Sequence, residues 1–455
     1  MDFRIERDSM GEIKVPKDKY WGAQTQRSLE NFKIGSEKMP SSLLYNLCAL
    51  KLACAKANGI LKPEKMTEEK LNAISSVIEN HLDSLLKDNF PLSVWQTGSG
   101  TQTNMNVNEV IANYGNEIAG KKLLHPNDDV NMSQSSNDVF PTAMHITCVD
   151  KLSSLLKSIE VLASSFKRLE KKYKGVIKAG RTHLQDATPI LFSQELSGFS
   201  STLCKNSEMI KASAKPLLEL AIGATAVGTG LNAPKHFDEL VCKELKLMLG
   251  YDFKPAKNKF HALSSKDEIA FAHGAIKALA CDLMKIANDI RWLSSGPRCG
   301  LSEIFIPENE PGSSIMPGKV NPTQCEALTM ACAQVMGNDT TIAICASQGN
   351  FQLNVYMPVI IYNFIQSAEL LSDAILSFTK NCVDGIRINK DKMKENLDKS
   401  LMTVTALTPY IGYERGAAVA KLAHKENISL KEACLNLGYL TEEEFDKYYD
   451  FKDMV

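Results

Sequence analysis

The chain has 455 residues, 44% of them hydrophobic, so it is long enough to bury a large core in two or three domains. Its 52 Lys and Arg residues balance 53 Asp and Glu residues, so no strong net field draws it to nucleic acid or to a membrane surface. No apolar run reaches the roughly 18–20 residues that span a bilayer, and residues 1–8 mix charges in a way that a secretory signal or transit peptide does not. We therefore expect a cytoplasmic protein, or a mature organellar form without its presequence, with no nucleic-acid or membrane partner.

The twelve cysteines are scattered along the chain, and no Cys-x-x-Cys pair occurs. We therefore expect neither a zinc site nor a disulfide framework, but reduced and mostly buried thiols. Cys325 is the thiol that we expect to be most sensitive to oxidation, because it follows a polar loop that is described below.

The first part of the chain carries structural signals rather than chemical ones. Residues 1–40 are expected to be extended and irregular. Apolar residues recur at helical spacing from Ser41 to about Asn58, and Thr67 is a good cap for a second helix that runs to about Asp88.

Small hydroxyl and amide side chains become frequent in residues 96–110. Ser99, Gly100 and Thr101 stand just before a helix that we expect to begin at about Asn104. The free N–H groups of a helix N-terminus favour an anion, so the segment is a candidate anion site. An ordinary Ser/Thr/Asn helix cap is the alternative.

A short turn at residues 125–131 combines a histidine with two carboxylates. His125, Asn127 and Asp128 have the chemistry of metal ligands, but Pro126 stiffens the turn and no third cluster of ligands lies nearby. We therefore expect no metal here, and an Asx-rich surface turn is the simplest interpretation.

Three uncharged donors follow at Ser135, Ser136 and Asn137, ahead of a helix start that we place at Pro141. Without further information they are equally well explained as a polar turn before a helix. The helix beyond is strongly periodic to about residue 169, as expected for a member of a helical bundle.

Two further segments interrupt the helical pattern. Residues 180–189 form a polar loop with Thr182 and His183, although a lone histidine is more often structural than catalytic. Residues 223–232 are rich in glycine, but their spacing is not a dinucleotide fingerprint and no strand is expected before them. We expect that loop to pack closely against another subunit or near a substrate.

Residues 311–322 contain two glycines and three prolines, so they cannot form a helix. The loop carries Ser313, Ser314, Lys319 and Asn321. We expect the N–H groups of residues 312–315 to form a nest for an anion, Lys319 to add positive charge, and the apolar residues 315 and 316 to anchor the loop. The loop is not a phosphate loop, because five residues separate its glycines and a valine follows its lysine.

The segment 311–322 resembles, residue for residue, the signature of the fumarase/aspartase superfamily, and the continuation Thr323–Ala327 resembles class II fumarases in particular. Periodicity predicts a mainly helical, all-α fold with five long helices between about residues 141 and 381. We expect an N-terminal domain at 1–133, a central helical bundle at 134–388 and a small C-terminal helical domain at 389–455. The resemblance, which extends over essentially the whole chain, implies a homotetramer with a twenty-helix core and with active sites built from three subunits.

The resemblance also implies roles for the polar segments. It implies Ser313 as the catalytic base, and His183, oriented by Glu326, as the group that handles the proton of the water or hydroxyl. The substrate-binding residues that we infer from it are Ser99, Gly100, Thr101, Ser135, Ser136, Asn137, Thr182, Ser314, Lys319, Val320 and Asn321. It further implies a second, non-catalytic dicarboxylate site at His125, Pro126, Asn127 and Asp128.

The reaction that the resemblance implies is the reversible hydration of fumarate to L-malate through an aci-carboxylate intermediate, with no metal and no cofactor. An aspartate ammonia-lyase on the same scaffold is the nearest alternative, and argininosuccinate and adenylosuccinate lyases resemble the chain less. A catalytically inactive structural homologue is the alternative from a different class, and the intact Ser313, His183, Lys319 and Asn321 argue against it.

Overall fold

The computed structural model describes residues 2–455, apart from the side chain of residue 453. Helices dominate the structure, and the strands are short and paired two by two. The α-helices are α1 (Ala23–Asn31), α2 (Ser41–Leu61), α3 (Glu68–Ser76), α4 (Leu82–Asp88), α5 (Thr101–Ala119), α6 (Ser136–Lys172), α7 (Phe192–Ala214), α8 (Phe237–Leu249), α9 (Lys259–Ser264), α10 (Asp267–Leu293), α11 (Thr323–Ala346), α12 (Met357–Asn381), α13 (Lys390–Lys399), α14 (Thr408–Ile411), α15 (Tyr413–Glu426), α16 (Leu430–Asn436) and α17 (Glu442–Tyr448).

The strands form four two-stranded sheets. Three pairs are antiparallel: β1 (Phe3–Asp8) with β2 (Gly11–Pro16), β3 (Ile177–Thr182) with β4 (Gln185–Leu191), and β7 (Ile304–Phe305) with β8 (Arg387–Ile388). The pair of β5 (Glu219–Leu220) with β6 (Lys254–Pro255) is parallel. The predicted mainly helical fold class is confirmed, and α6, α7, α10, α11 and α12 are the five long helices.

The chain divides into two compact units. The first unit comprises residues through 156, Glu208–Ala280 and Ala333–Leu371. The second comprises Lys157–Ser207, Cys281–Cys332 and Ser372–Val455. The domain boundaries that we placed after residues 133 and 388 stay predictions.

The core of the first unit includes α2, which packs on α8. Most residues of α2 are buried because the helix is apolar around most of its circumference. The helix α3 begins after Thr67, whose hydroxyl accepts the N–H of Lys70, as expected for that cap. A π turn at Val77–His81 joins α3 to α4.

The last part of the second unit has its own apolar cluster, around Leu407, Val419 and Phe445. Two helices there begin with reciprocal capping boxes, one at Ser429 and one at Thr441.

Several local predictions were wrong for identifiable reasons. Residues 1–40 contain a β-hairpin and α1 rather than irregular structure alone. The helix α6 begins at Ser136 and includes Pro141 in its second turn, where the proline removes the N–H that would otherwise donate to the carbonyl of Asn137. Residues 180–189 belong to the β3–β4 hairpin, and the short strand β5 does precede the glycine-rich loop.

The helix that begins with α12 bears on the expectation that no apolar run is long enough to span a bilayer. Residues Met357–Gly385 are long and apolar enough to cross a membrane by length and composition alone, with 44% of the most apolar window buried inside the protein. A core helix of a water-soluble protein passes the same test. The buried side of α12 includes Ile361, Phe364 and Phe378.

All twelve cysteines are unpaired, and most are buried, as expected. Cys325 lies in the first turn of α11 and is fully buried. A hydrogen bond that the Cys382 thiol makes with Cys325, together with burial, raises the pKa of Cys382 well above its usual range.

Candidate active site

Ser99, Gly100 and Thr101 lie at the first turn of α5. Gly100 precedes the helix with a φ of 72°, and a Cβ there would lie 2.3 Å from the Phe140 ring, so a glycine is required. The hydroxyls of Ser99 and Thr101 are 2.8 Å apart. Because α5 begins at Thr101 and not near Asn104, Thr101 itself lies in the turn whose N–H groups favour an anion.

Ser135, Ser136 and Asn137 form the turn that begins α6. The Ser135 hydroxyl accepts the N–H of Asn137 at 3.3 Å, and Asp138 Oδ1 accepts the N–H of Ser135 at 2.9 Å. Asp138 thus caps the Ser135 N–H as the acidic residue of a capping box does, whereas the Ser135 hydroxyl accepts the N–H of the second rather than the third helical residue. Asn104 Nδ2 on α5 donates to Ser136 Oγ at 3.1 Å, so the first two predicted binding segments are in contact.

The predicted second dicarboxylate site lies at the edge of a cavity of about 840 Å³ in the first unit. Asn127, Asp128, Ser135 and Thr225 are among its lining residues, so this cavity borders on the first site as well. His125 lies outside the lining; its Nδ1 accepts the N–H of Asp128 at 3.2 Å.

The charge on the wall of this cavity suits an anion only because lysines balance the carboxylates. Lys62, Lys65 and Lys70 line it together with Glu64, Asp128 and Asp129, so three lysines face three carboxylates. Lys70 Nζ is 2.6 Å from Asp129 Oδ1, and Lys62 Nζ donates to Ser133 Oγ and Asn232 O.

A buried lysine, which the sequence analysis missed, supports the segment that leads into the Ser135–Asn137 turn. Lys51 in α2 is fully buried, and its Nζ donates to Asn131 Oδ1 and Gln134 Oε1, each at 2.9 Å. Burial lowers the pKa of Lys51 to about 7, whereas burial raises the pKa of Asp138 to about 6. The sequence signal that could have indicated this buried lysine is its position inside the apolar stretch of α2.

Thr182 and His183 lie at the tip of the β3–β4 hairpin in the second unit. His183 and Leu184 form the two-residue turn, and both have positive φ, 57° and 60°. Such a turn matches the twist of a hairpin but is unusual without glycine or asparagine. The tip is exposed, with Leu184 68% accessible.

A buried ionic cluster holds the base of this hairpin. Glu303, just before β7, is fully buried and accepts two hydrogen bonds from Arg181 of β3, at 2.6 and 3.1 Å. Lys178, also on β3, lies 3.2 Å from Glu303 and 3.0 Å from Glu195. Asn396 of α13 donates to the same carboxylate at 3.1 Å. Burial disfavours the carboxylate, but the Arg181 and Lys178 contacts outweigh it and hold the pKa of Glu303 below its usual range.

The loop at residues 311–322 is closed at its base by two hydrogen bonds. Gly312 N–H donates to Lys319 O at 2.8 Å, and Asn321 Nδ2 donates to Gly312 O at 2.7 Å. A Cβ on Gly312 would lie 2.5 Å from Lys319 O, so this position requires glycine.

The interior of the loop surrounds one hydroxyl with donors. Ser313 Oγ accepts the N–H groups of Ile315 and Met316, at 3.3 and 3.1 Å. Two of the four N–H groups of the expected anion nest over residues 312–315, those of Gly312 and Ile315, thus have partners in the chain, and the nest stays a prediction. Ile315 is 83% and Met316 49% exposed, so neither anchors the loop within one chain. Ser314, Lys319 and Val320 are exposed as well.

Glu326 lies in the first turn of α11, close in sequence to this loop. Within the described residues of one chain, His183 and Glu326 form no ion pair or hydrogen bond with each other. The predicted orientation of His183 by Glu326 therefore needs a second chain or a rearrangement.

A group of possible metal ligands lies apart from the predicted site residues. His261 Nε2 is 3.1 Å from Asp267 Oδ1, and His261 Nδ1 is 3.6 Å from Glu268 Oε1. All three side chains lie near the start of α10. The predicted absence of a metal and of a cofactor stays a prediction.

The structure thus brings the Ser99–Thr101 and Ser135–Asn137 segments together, and places the second-site residues beside them. Chemical type and clustering along the sequence were enough to find those segments. Lys51, Asp138 and the Glu303 cluster were missed, because a single sequence does not show which charged residues are buried.

Comparison with known proteins identifies the family and the fold of the chain. A family model described as "Lyase" matches residues 11–337, and one described as "Fumarase C C-terminus" matches residues 404–455. The chain is 57% identical to a fumarate hydratase class II of Campylobacter jejuni and 60% identical to one of Helicobacter pylori, covering 100% of this chain and 99% of each relative. The crystal structure of a class II fumarase from Schistosoma mansoni matches with a TM-score of 0.96 at 43% identity, covering 100% of this chain and 99% of that one.

The helical fold and the matched family define this protein as a lyase, which confirms the predicted enzyme class. Within the lyases the chain belongs to the class II fumarate hydratase family, so the predicted resemblance is confirmed.

Proposed function

We propose that this protein catalyses the reversible hydration of fumarate to L-malate. In the dehydration direction a base removes a proton from C3 of malate, and the electron pair is held as an aci-carboxylate on the adjacent carboxyl group. The C2–O bond then breaks, and the leaving hydroxide takes a proton and departs as water. The names of the relatives support the substrate pair, and the polar segments supply suitable groups for each step.

Ser313 is the proposed base, and the surroundings of its hydroxyl carry that proposal. A serine becomes a base only when its alkoxide is stabilised. Two backbone N–H groups already point at Ser313 Oγ, as donors do in an oxyanion hole, and Lys319 of the same loop adds a positive charge. A hydroxyl that merely caps a turn makes similar contacts, so the kinetic test below decides between the two roles.

The remaining roles follow the charge of the intermediate. Lys319 and Asn321, with Thr101, Asn137 and Thr182, hold the two carboxylates, and about 1.4 kcal/mol of preferential stabilisation of the dianion corresponds to a tenfold higher rate. His183, oriented by Glu326, transfers the proton of the water. The remaining predicted contacts to substrate are made by Ser99, Gly100, Ser135, Ser136, Ser314 and Val320.

The active protein in this proposal is a homotetramer whose active sites take residues from three chains. The long helices expose apolar side chains that a single chain leaves uncovered, such as Phe271 on α10, Met330 and Ile344 on α11, and Leu376 on α12. Helices that are apolar on every side are normally buried. A second chain would also bring Glu326 to a His183 that lacks it within its own chain.

The same proposal accounts for the apolar helix α12 without a membrane. Neighbouring subunits rather than lipid cover its exposed side, and Glu369 on that helix pairs with Lys151 at 2.8 Å. We accordingly propose a location in the cytoplasm, or in an organelle as a mature form. His125, Pro126, Asn127 and Asp128 form the proposed second dicarboxylate site, where Lys62 and Lys65 supply the positive charge.

The first experiment is to follow ultraviolet absorbance of the fumarate double bond with L-malate and L-aspartate supplied separately. A rise with L-malate alone is expected. A rise with L-aspartate alone would identify an ammonia-lyase on the same scaffold. No rise with either substrate, from a protein verified as a tetramer, would favour a catalytically inactive homologue.

Ser313→Ala is expected to lower kcat by at least about 100-fold, since the reaction loses its base. The measurement is the initial rate with saturating L-malate. Ser84→Ala on α4 is a matched control, because this exposed hydroxyl only contacts the carbonyl of His81. A Ser313→Ala enzyme within a few fold of wild type would remove serine from the mechanism, and an unaffected kcat in His183→Asn would do the same for histidine.

A further inference from the structure

Asp138 joins two loops that are far apart in the sequence. Its Oδ1 accepts the N–H of Ser135 at 2.9 Å, and its Oδ2 accepts the N–H groups of Gly223 and Thr225 at 3.0 and 2.9 Å. The side chain is fully buried. A carboxylate that accepts three backbone N–H groups on two sides fixes the distance between the segments that carry them.

The second of these segments is the glycine-rich loop, residues 223–232, whose role the sequence left open. Gly223 has a φ of 85°, and a Cβ there would lie 2.9 Å from Asp138 Cβ. Thr225 has a φ of 55°, a strained conformation for a β-branched residue. Its hydroxyl has no hydrogen-bond partner within the described part of the chain, so the N–H bond to Asp138 is what holds this residue.

The two loops also meet at the predicted binding surface. Asn137 Nδ2 donates to Ala226 O at 2.8 Å. Ser135, Thr225 and Ala226 line the same cavity. The Asn137 carboxamide, fixed on one loop by a carbonyl of the other, therefore has a defined orientation beside residues that line that cavity.

Burial raises the pKa of Asp138 to about 6, while the three backbone N–H groups and the nearby Lys51 favour its ionised form. Lys51 is the nearby buried cation, and it holds Asn131 and Gln134 of the chain leading into the same turn. The turn is thus fixed at one end by a buried lysine and at the other by a buried carboxylate.

We propose that Asp138 is a positioning residue for the hydration reaction. By clamping the Ser135–Asn137 turn to the Gly223–Asn232 loop, it sets the places of the Ser135 hydroxyl and the Asn137 carboxamide while touching no substrate itself. The proposal rests on the proposed function, in which those two groups bind a substrate carboxylate.

The test compares Asp138→Asn with Glu109→Gln in the full-length protein. Glu109 is a matched control, because it is a buried carboxylate of the same unit that accepts the N–H groups of Gly22, Gln24 and Thr25 and holds the start of α1. Asp138→Asn keeps the shape but replaces one acceptor oxygen with an NH₂ group. We expect kcat/KM for L-malate to fall at least about tenfold, mainly through a higher KM, with faster amide exchange in residues 223–226. Glu109→Gln is expected to stay within about twofold in both constants at a temperature where both variants are folded.

A second pair of variants tests the same contact from the other loop. Gly223→Ala places a methyl group against Asp138, and Gly250→Ala, at the end of α8, has a similar φ of 78° but no atom within 4 Å of its Cβ. Both alanines carry the same backbone strain. Only Gly223→Ala is expected to raise KM, and this pair decides the matter if Asp138→Asn does not fold.

The outcomes separate the two proposals. A wild-type enzyme without fumarate-forming activity would remove the proposed function. An active wild type combined with unchanged KM and kcat in Asp138→Asn or Gly223→Ala would overturn only the positioning role. Equal losses in the test variants and their controls would likewise overturn it, since general destabilisation would then explain both.

Discussion

Glu303 and Asp138 are both fully buried carboxylates, yet their surroundings shift their pKa values in opposite directions. Burial raises the pKa of each. Glu303 contacts Arg181 and Lys178, and these cations hold its pKa below the usual range. Asp138 contacts backbone N–H groups only, so burial prevails and its pKa rises to about 6. The identity of the donors therefore decides the protonation behaviour of each carboxylate.

Glu303→Gln is expected to lower the free energy of unfolding by about 3–5 kcal/mol at neutral pH, because it leaves buried cations without their partner. The pKa of Glu303 is lower in the folded than in the unfolded state. Its stabilising contribution is therefore present above the unfolded pKa and is lost as the pH falls through the folded one. Urea unfolding of both proteins at several pH values should show the difference shrinking in acid.

Glu369→Gln is the control for that series, since Glu369, which pairs with Lys151, is itself half exposed. It is expected to cost less than about 1 kcal/mol. A Glu303→Gln deficit that stays constant down to pH 3 would contradict the ionic explanation.

At the scale of elements, the long helices of the first unit share a buried polar network. His273 on α10 lies 2.8 Å from Asp339 on α11 and 2.8 Å from Ser367 on α12. Asn338 on α11 donates to the same serine at 3.0 Å. These hydrogen bonds form together only when the three helices are aligned in this register, so the network fixes that register.

Ser367→Ala is expected to destabilise the protein by about 1–3 kcal/mol, because it leaves the buried Nε2 of His273 without its partner, whereas Asn338 keeps its bond to Gln366. Ser372→Ala on the same helix is the matched control, since the Ser372 hydroxyl has no partner within the described residues and its loss is expected to be nearly neutral. Thermal unfolding measures both. Equal changes in the two variants would show that the network contributes no specific stability.

The loop that carries Ser313 is the other element with a decisive contact. Gly312→Ala places a methyl group 2.5 Å from Lys319 O and breaks the hydrogen bonds that close the loop at its base. We expect kcat to fall by at least about tenfold with little change in melting temperature, since small displacements of catalytic groups are costly and the loop is exposed. Gly318→Ala, with a φ of 79° and nothing within 4 Å of its Cβ, should have a clearly smaller effect. A larger loss of kcat in Gly318→Ala than in Gly312→Ala would rule out a role for the hydrogen bonds at the loop base.

Helical periodicity was sufficient to predict the five long helices, because each keeps an apolar stripe over many turns. It did not predict the β3–β4 hairpin or α1. The hairpin strands are short and polar near the tip, and α1 has few apolar residues, so neither has a periodic pattern. The start of α6 was misplaced, because Pro141 was taken as the first helical residue although it lies in the second turn of the helix.

At the scale of the whole molecule, one chain displays its predicted catalytic groups on separate exposed segments. The hairpin tip carries His183, the loop carries Ser313, and the start of α11 carries Glu326. The chemical types along the sequence were enough to nominate these residues. In the proposed function their meeting place depends on how several chains associate, which no pattern within one sequence describes.

Mixing the inactive variants Ser313→Ala and His183→Asn tests the three-chain site. If Ser313 and His183 of one site come from different chains, random reassembly should restore about a quarter of the wild-type activity, since each residue is intact with a probability of about one half. The measurement is malate dehydration after joint unfolding and refolding of the two variants. Each variant refolded alone serves as the control, and a mixture that stays inactive would place both residues of a site in one chain.

The left-handed pair His183–Leu184 has an evolutionary consequence. An asparagine–glycine turn would form the same hairpin without the roughly 1–2 kcal/mol that each non-glycine residue pays for a positive φ. In the proposed function His183 therefore supplies an imidazole at the tip at the cost of a weaker hairpin. A descendant relieved of selection for turnover should drift toward asparagine and glycine at these two positions before its helical core changes.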